Sequence, residues 1–125
     1  MCLCCLQAAR YCSDRLHINL AEEMDQQAEL RLDPDTLEQR LARALPSAFC
    51  RTDDEIGGKC PRPSPFGPAT DPVVSDAVGT TAIVAVVGPN QIVVANCGDS
   101  RAVLCRGGVA MPLSIDHKVG EGEEE

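Results

Sequence analysis

Between Ala82 and Met111 the chain alternates short apolar runs with turn residues. Ala82 to Val87 is apolar throughout and rich in Val and Ile, and Gly88-Pro89-Asn90-Gln91 interrupts it. A second run, Ile92 to Ala95, stops at Cys97-Gly98-Asp99-Ser100, and a third, Ala102 to Cys105, stops at Arg106-Gly107-Gly108. Runs this short, β-branched and closed by Gly, Pro, Asn or Asp predict consecutive antiparallel strands, a meander of three with Val109-Ala110-Met111 as a short fourth closed by Pro112. The first two runs are apolar at nearly every position, so both of their faces call for cover.

Upstream the period changes. Ala8, Cys12, Leu16, Leu20, Met24 and Ala28 recur every four residues. Ser13, Asp14, Glu22, Glu23, Gln26 and Gln27 fill the opposite face. This predicts an amphipathic helix over about 8–30. A second stripe, Leu37, Leu41, Leu45 and Phe49, predicts a helix over about 34–55. Asp33 suits its N-cap and Pro34 its first position. Pro46 lacks an N–H and crowds the carbonyl four residues back, so a kink is expected near Leu45. Gly57-Gly58 ends the helix. Residues 57–76 carry five prolines (Pro61, Pro63, Pro65, Pro68 and Pro72) and are expected to form a mobile loop.

At 125 residues the chain suits one small domain, read as 1–118 followed by a solvated acidic tail over 119–125. With 11 basic against 19 acidic residues the net charge is −8, which argues against nucleic-acid binding. There is no apolar run long enough for a transmembrane helix, and the start MCLCCLQ lacks the basic and apolar regions of a signal peptide. The eight cysteines are therefore read as reduced thiols in an intracellular protein of cytoplasm or nucleus. Cys2, Cys4 and Cys5 admit S-acylation or a thiolate metal site, though the spacing lacks a CxxC and nearby histidines. The plainer reading is that they are incidental.

Three motifs follow in order: Gly79-Thr80-Thr81-Ala82, then Asn96-Cys97-Gly98-Asp99-Ser100-Arg101-Ala102, then Asp116-His117-Lys118. Together they resemble metal-dependent serine/threonine protein phosphatases of type 2C, the plant members above all, with the abscisic-acid-regulated group most similar. The resemblance implies a partial α+β sandwich, here a two-helix hairpin followed by three to four antiparallel strands. It also implies dephosphorylation of phosphoserine and phosphothreonine by water activated on Mg or Mn. In the family the cations are held by an early Glu-Asp pair, a DGHGG motif and two late aspartates, none of which this sequence contains in the expected place. The expectation is a truncated phosphatase, inactive by itself, that binds neither cation stably. Of the family's metal-bordering carboxylates only Asp99 has a counterpart here, and a turn-forming role is the plainer reading of it. Implied partners are phosphoprotein substrates, kinases or a receptor, and the alternative function is a non-catalytic interaction or regulatory protein in abscisic-acid or stress signalling. The family's receptor docking through a late tryptophan has no counterpart, because the chain has no Trp.

The remaining candidates read as structural. His17 lies on the edge of the first helical stripe and reads as a packing residue rather than a ligand or base. Asp116 and His117 invite an acid–base role, but a structural one is preferred. Arg101 is expected to pair with a nearby carboxylate. No GxSxG elbow, GxxxxGK loop or HExxH helix occurs, and nothing couples a particular Cys to His17 or His117.

Overall fold

The computed structural model describes residues 3–29 and 36–117. The chain divides into two compact units, one within residues 1–79 and the other within 80–125. The predicted cap at Asp33-Pro34, the residue Lys118 and the acidic tail lie outside the described residues.

The first unit is an antiparallel helical hairpin, α1 (Leu3–Glu29) and α2 (Leu37–Ile56). Helix α1 begins five residues before the apolar stripe does. Its stripe buries Ala8, Leu16 and Leu20 against Leu41, Ala44, Leu45 and Ala48 of α2. Full burial of each leucine contributes about 1.5–3 kcal/mol. Helix α2 starts later than Asp33-Pro34 suggests, because Thr36 is its N-cap. The Thr36 hydroxyl accepts from the Gln39 N–H at 3.3 Å, and the Gln39 side chain accepts from the Thr36 N–H at 3.1 Å. This capping box satisfies two donors that the first turn would otherwise leave open. Pro46 lies inside a helix assigned without interruption to Ile56.

After Gly57 the chain returns along the end of α2. The Val73 N–H donates to the Ile56 carbonyl at 2.8 Å, and Val74 is buried. Within the proline-rich segment Arg62 and Ala69 form an antiparallel bridge, and the Arg62 guanidinium pairs with Asp71 at 3.0 Å.

The second unit holds four strands, β1 (Ala82–Val87), β2 (Ile92–Cys97), β3 (Val103–Arg106) and β4 (Val109–Pro112). They do not form one continuous meander. Among the described residues, strand β1 pairs only with β2, from Ala82↔Cys97 to Val87↔Ile92, and β3 only with β4, from Val103↔Pro112 to Arg106↔Val109. The Gly107-Gly108 turn between β3 and β4 has positive φ at both glycines, as a tight hairpin of right-twisted strands requires. No described residue from Thr80 to His117 is fully buried. Val103, Val109 and Met111 are 54%, 63% and 42% exposed, so the cover that the apolar strands call for is not supplied by these residues.

Candidate functional site

The pairing stops between β2 and β3 because residues 98–102 bond elsewhere. The Leu113 N–H donates to the Ala102 carbonyl at 2.9 Å, and the His117 N–H to the Gly98 carbonyl at 2.9 Å. Two side chains stand in for backbone acceptors: Ser114 Oγ accepts from the Ala102 N–H at 3.0 Å, and His117 Nδ1 accepts from the Gly98 N–H at 3.3 Å. Segment 98–102 is thereby laced to 113–117 as an irregular extension of the β3–β4 hairpin.

Asp99 sits at the head of this lacing. Gly98 has φ +100, and a Cβ there would lie 2.4 Å from Thr81 Cγ2 and 2.8 Å from Thr81 Cβ. Glycine is thus required for both conformation and space. The Thr81 and Ser100 hydroxyls hydrogen-bond at 2.7 Å, and Asn96 Nδ2 donates to the carbonyls of Gly98 and Ile115 at 2.9 and 2.8 Å. The side-chain oxygen of Asn96 is buried without a partner. The three sequence motifs therefore converge: Thr81 from the first, Asn96 to Ser100 from the second, Asp116 and His117 from the third.

The Asp99 carboxylate is exposed. Arg101 pairs with a carboxylate, as expected: its Nε and a terminal nitrogen donate to the two Asp116 oxygens at 3.1 and 2.5 Å. That pair keeps the guanidinium protonated beyond its ordinary range, through the hydrogen bonds and charge of Asp116. His117 serves the backbone of Gly98 through Nδ1, and His17 lies apart in α1, where its Nδ1 donates to the Ser13 carbonyl at 3.2 Å. Among the described residues no three of His, Cys, Asp and Glu gather in a way that could hold a metal ion. One exposed carboxylate does not fit Mg or Mn, which need several converging oxygens.

A second polar constellation, which the sequence reading missed, lies inside the helical hairpin. Glu55 is 1% exposed, Asn19 0% and Thr52 2%. Tyr11 donates to Glu55 Oε2 at 2.8 Å, and Arg15 donates to both Glu55 oxygens at 3.2 and 3.0 Å. Arg15 also donates to Asn19 Oδ1 at 2.8 Å, Asn19 Nδ2 to Thr52 Oγ1 at 3.0 Å, and Thr52 to the Ala48 carbonyl at 2.7 Å. Arg51 adds a contact at 3.5 Å to Glu55 and one at 2.6 Å to Glu22. Burial pushes the Glu55 pKa up, but the hydrogen bonds from Arg15 and Tyr11 and the charge of Arg15 outweigh it, holding the carboxyl below its ordinary range. Burial, together with the adjacent Glu55, raises the Tyr11 phenol to about 12. This network ties α1 to α2 through hydrogen bonds and ion pairs among side chains of both helices. Its signal in the sequence was Tyr11, Arg15 and Asn19 at four-residue spacing beside the leucine stripe.

Residues 4–125 match the family model for Protein phosphatase 2C. The chain is 44% identical over 118 residues to "Protein phosphatase 2C 56" of Arabidopsis thaliana, covering 94% of this chain and 24% of that protein. It is 41% identical over 122 residues to "Probable protein phosphatase 2C 6" of Oryza sativa subsp. japonica, covering 94% and 25%. It is 42% identical over 118 residues to "Protein phosphatase 2C 77" of Arabidopsis thaliana, again covering 94% and 25%. The chain thus spans about a quarter of the length of these curated relatives.

Proposed function

Because the chain belongs to the protein phosphatase 2C family, we propose that it provides the central scaffold of a serine/threonine phosphatase domain and does not by itself turn over a phosphoprotein. The family is metal-dependent, and its cations supply an activated water for attack at phosphorus. The contribution of these 125 residues is positional. Gly98 against Thr81, Asn96 across Gly98 and Ile115, and His117 on the Gly98 N–H hold the Asp99 carboxylate out at a fixed place. Asp99 would then add one oxygen ligand to a centre whose other ligands lie outside this sequence. The braced, exposed turn at Asp99 is the observation that carries this reading.

Calorimetric titration of the purified chain with MnCl₂ tests it, alongside a phosphothreonine-peptide assay in the same buffer. The expected result is no binding in the micromolar range and no chelator-sensitive phosphate release. Stoichiometric micromolar uptake of manganese that disappears in D99N would overturn the proposal, as would turnover abolished by chelator.

The exposed apolar residues Val103, Val109 and Met111 favour a second reading. In it the chain is a non-catalytic regulatory protein of abscisic-acid or stress signalling inside the cell, and pairs through its sheet with a kinase, a receptor or an intact phosphatase. A one-to-one complex with a purified abscisic-acid receptor in sedimentation velocity, lost on charging Val109, would favour it over the first.

A further inference from the structure

The proline-rich segment that follows α2 closes on itself. Arg62 and Ala69 exchange both backbone bonds, the Arg62 N–H donating to the Ala69 carbonyl at 2.9 Å and the Ala69 N–H to the Arg62 carbonyl at 3.0 Å. Between them the Gly67 N–H donates to the Ser64 carbonyl at 3.1 Å. Ser64-Pro65-Phe66-Gly67 is thus a β-turn with proline at its second position, where a fixed φ suits it. The Ser64 hydroxyl accepts from the Phe66 N–H at 3.3 Å, and the Arg62 guanidinium pairs with Asp71 at 3.0 Å. These bonds all join residues within 62–71, so the segment sets its own shape. Ser64 is half-buried, and Pro65, Phe66, Gly67 and Pro68 are exposed. Of the nine prolines in the sequence, Pro65 alone follows a hydroxyl residue. The chain is acidic overall, yet the charged residues from Lys59 to Thr70 are Lys59 and Arg62, both cationic.

We infer that Ser64 is a phosphorylation site for a proline-directed protein kinase, and that Arg62 is the group that holds the phosphate. Kinases of this class take a residue without a backbone N–H directly after the target hydroxyl, and proline is the residue that lacks one. The sequence offers that pairing once, on the turn. The phosphoryl donor is ATP. Ser64 Oγ attacks the γ-phosphorus, the bond from that phosphorus to the β,γ-bridging oxygen breaks, ADP leaves, and the hydroxyl proton passes to a base of the kinase. The product carries close to two negative charges and three strong acceptor oxygens at neutral pH. Arg62, two residues back, holds a carboxylate whose side chain is 72% exposed, and a surface pair of that kind is weak. Phosphate offers the same guanidinium a two-pronged, charge-assisted bond. Modification therefore exchanges the tie between Arg62 and Asp71 for one inside the turn.

The test incubates the purified full chain with ATP and, in separate reactions, a mitogen-activated and a cyclin-dependent protein kinase, with site mapping by mass spectrometry. Ser64 should take up phosphate. S64A should lose that incorporation, and P65A, which keeps the hydroxyl, should be phosphorylated about tenfold more slowly or worse. Far-UV circular dichroism of both variants should match the wild type, because neither residue belongs to the buried core. In a phosphorus NMR titration of the phosphorylated chain, the second phosphate pKa should be lower in the wild type than in R62M, because a guanidinium favours the dianion. Absence of phosphate at Ser64 with both kinases would overturn the inference. So would equal phosphorylation of P65A, or a phosphate pKa that R62M leaves unchanged. None of these outcomes bears on the phosphatase assays, so the two proposals fail separately.

Discussion

Replacing Glu55 with alanine removes the buried acceptor on which two half-buried donors converge. The Arg15 guanidinium, 14% exposed, loses its partner at 3.0 Å, and the Tyr11 hydroxyl loses its acceptor at 2.8 Å. Breaking a buried ion pair by deleting one member costs about 3–5 kcal/mol, mostly because the surviving charge stays desolvated. Domains of this size hold only about 5–15 kcal/mol in total. At about 4–8 °C per kcal/mol, E55A should lower the helical melting temperature by about 12 °C or more. Far-UV circular dichroism during thermal and urea unfolding reads this directly. The R15M/E55L pair, which removes both charges and keeps the volume, should cost less than E55A alone. The pH dependence gives a second check. The folded pKa of Glu55 lies below its ordinary value of 4.5. Its contribution is therefore fully present above that value and is lost as pH falls through the lower folded one. E55Q, which does not titrate, should lack that part of the acid loss. An E55A melting shift below about 4 °C would refute the reasoning, since it would mean that water already reaches Arg15 and Tyr11.

Three further outcomes follow from the geometry. Gly98→Ala should destabilise the second unit by about 1–3 kcal/mol in urea unfolding, and adding Thr81→Ser, which removes the methyl nearest the new Cβ, should recover part of the loss. Pro46→Ala should raise the stability of the hairpin by about 1–2 kcal/mol, because α2 gains a helix-forming residue and the N–H it lacks, less the stiffness that proline gave the unfolded chain. Tyr11→Phe should cost about 1 kcal/mol at neutral pH. The wild type should also lose, as pH rises through about 12, a stability component that the variant never had, because the folded phenol is raised above its ordinary 10.

How far the fold could be read depended on whether side chains or backbone decided each step. The bounds of β1 followed from an unbroken Val/Ile run between turn residues, because β-branching and turn chemistry act locally. The split into two hairpins did not, because Ser114 and His117 replace backbone partners for residues 98–102, and strand periodicity is blind to that exchange. The capping box at Thr36 and Gln39 was present in the letters, yet Asp33-Pro34 offered an equally good start three residues earlier. Asp99, Arg101, Asp116 and His117 were named in advance, but the pairing of Arg101 with Asp116 and of Gly98 with His117 required the hairpin to bring positions 15 and 19 apart into contact. The buried set around Glu55 was missed because charged residues at helical spacing ordinarily face solvent.

The network around Glu55 also decides which of several near-equivalent alignments the two helices take. Leucine and alanine recur so regularly along both apolar stripes that sliding one helix by a single turn would still place grease on grease. Tyr11, Arg15, Asn19, Thr52 and Glu55 find one another in one setting alone. A hairpin stripped of these groups would keep its oil and lose its notch, free to ratchet among settings that the native protein forbids.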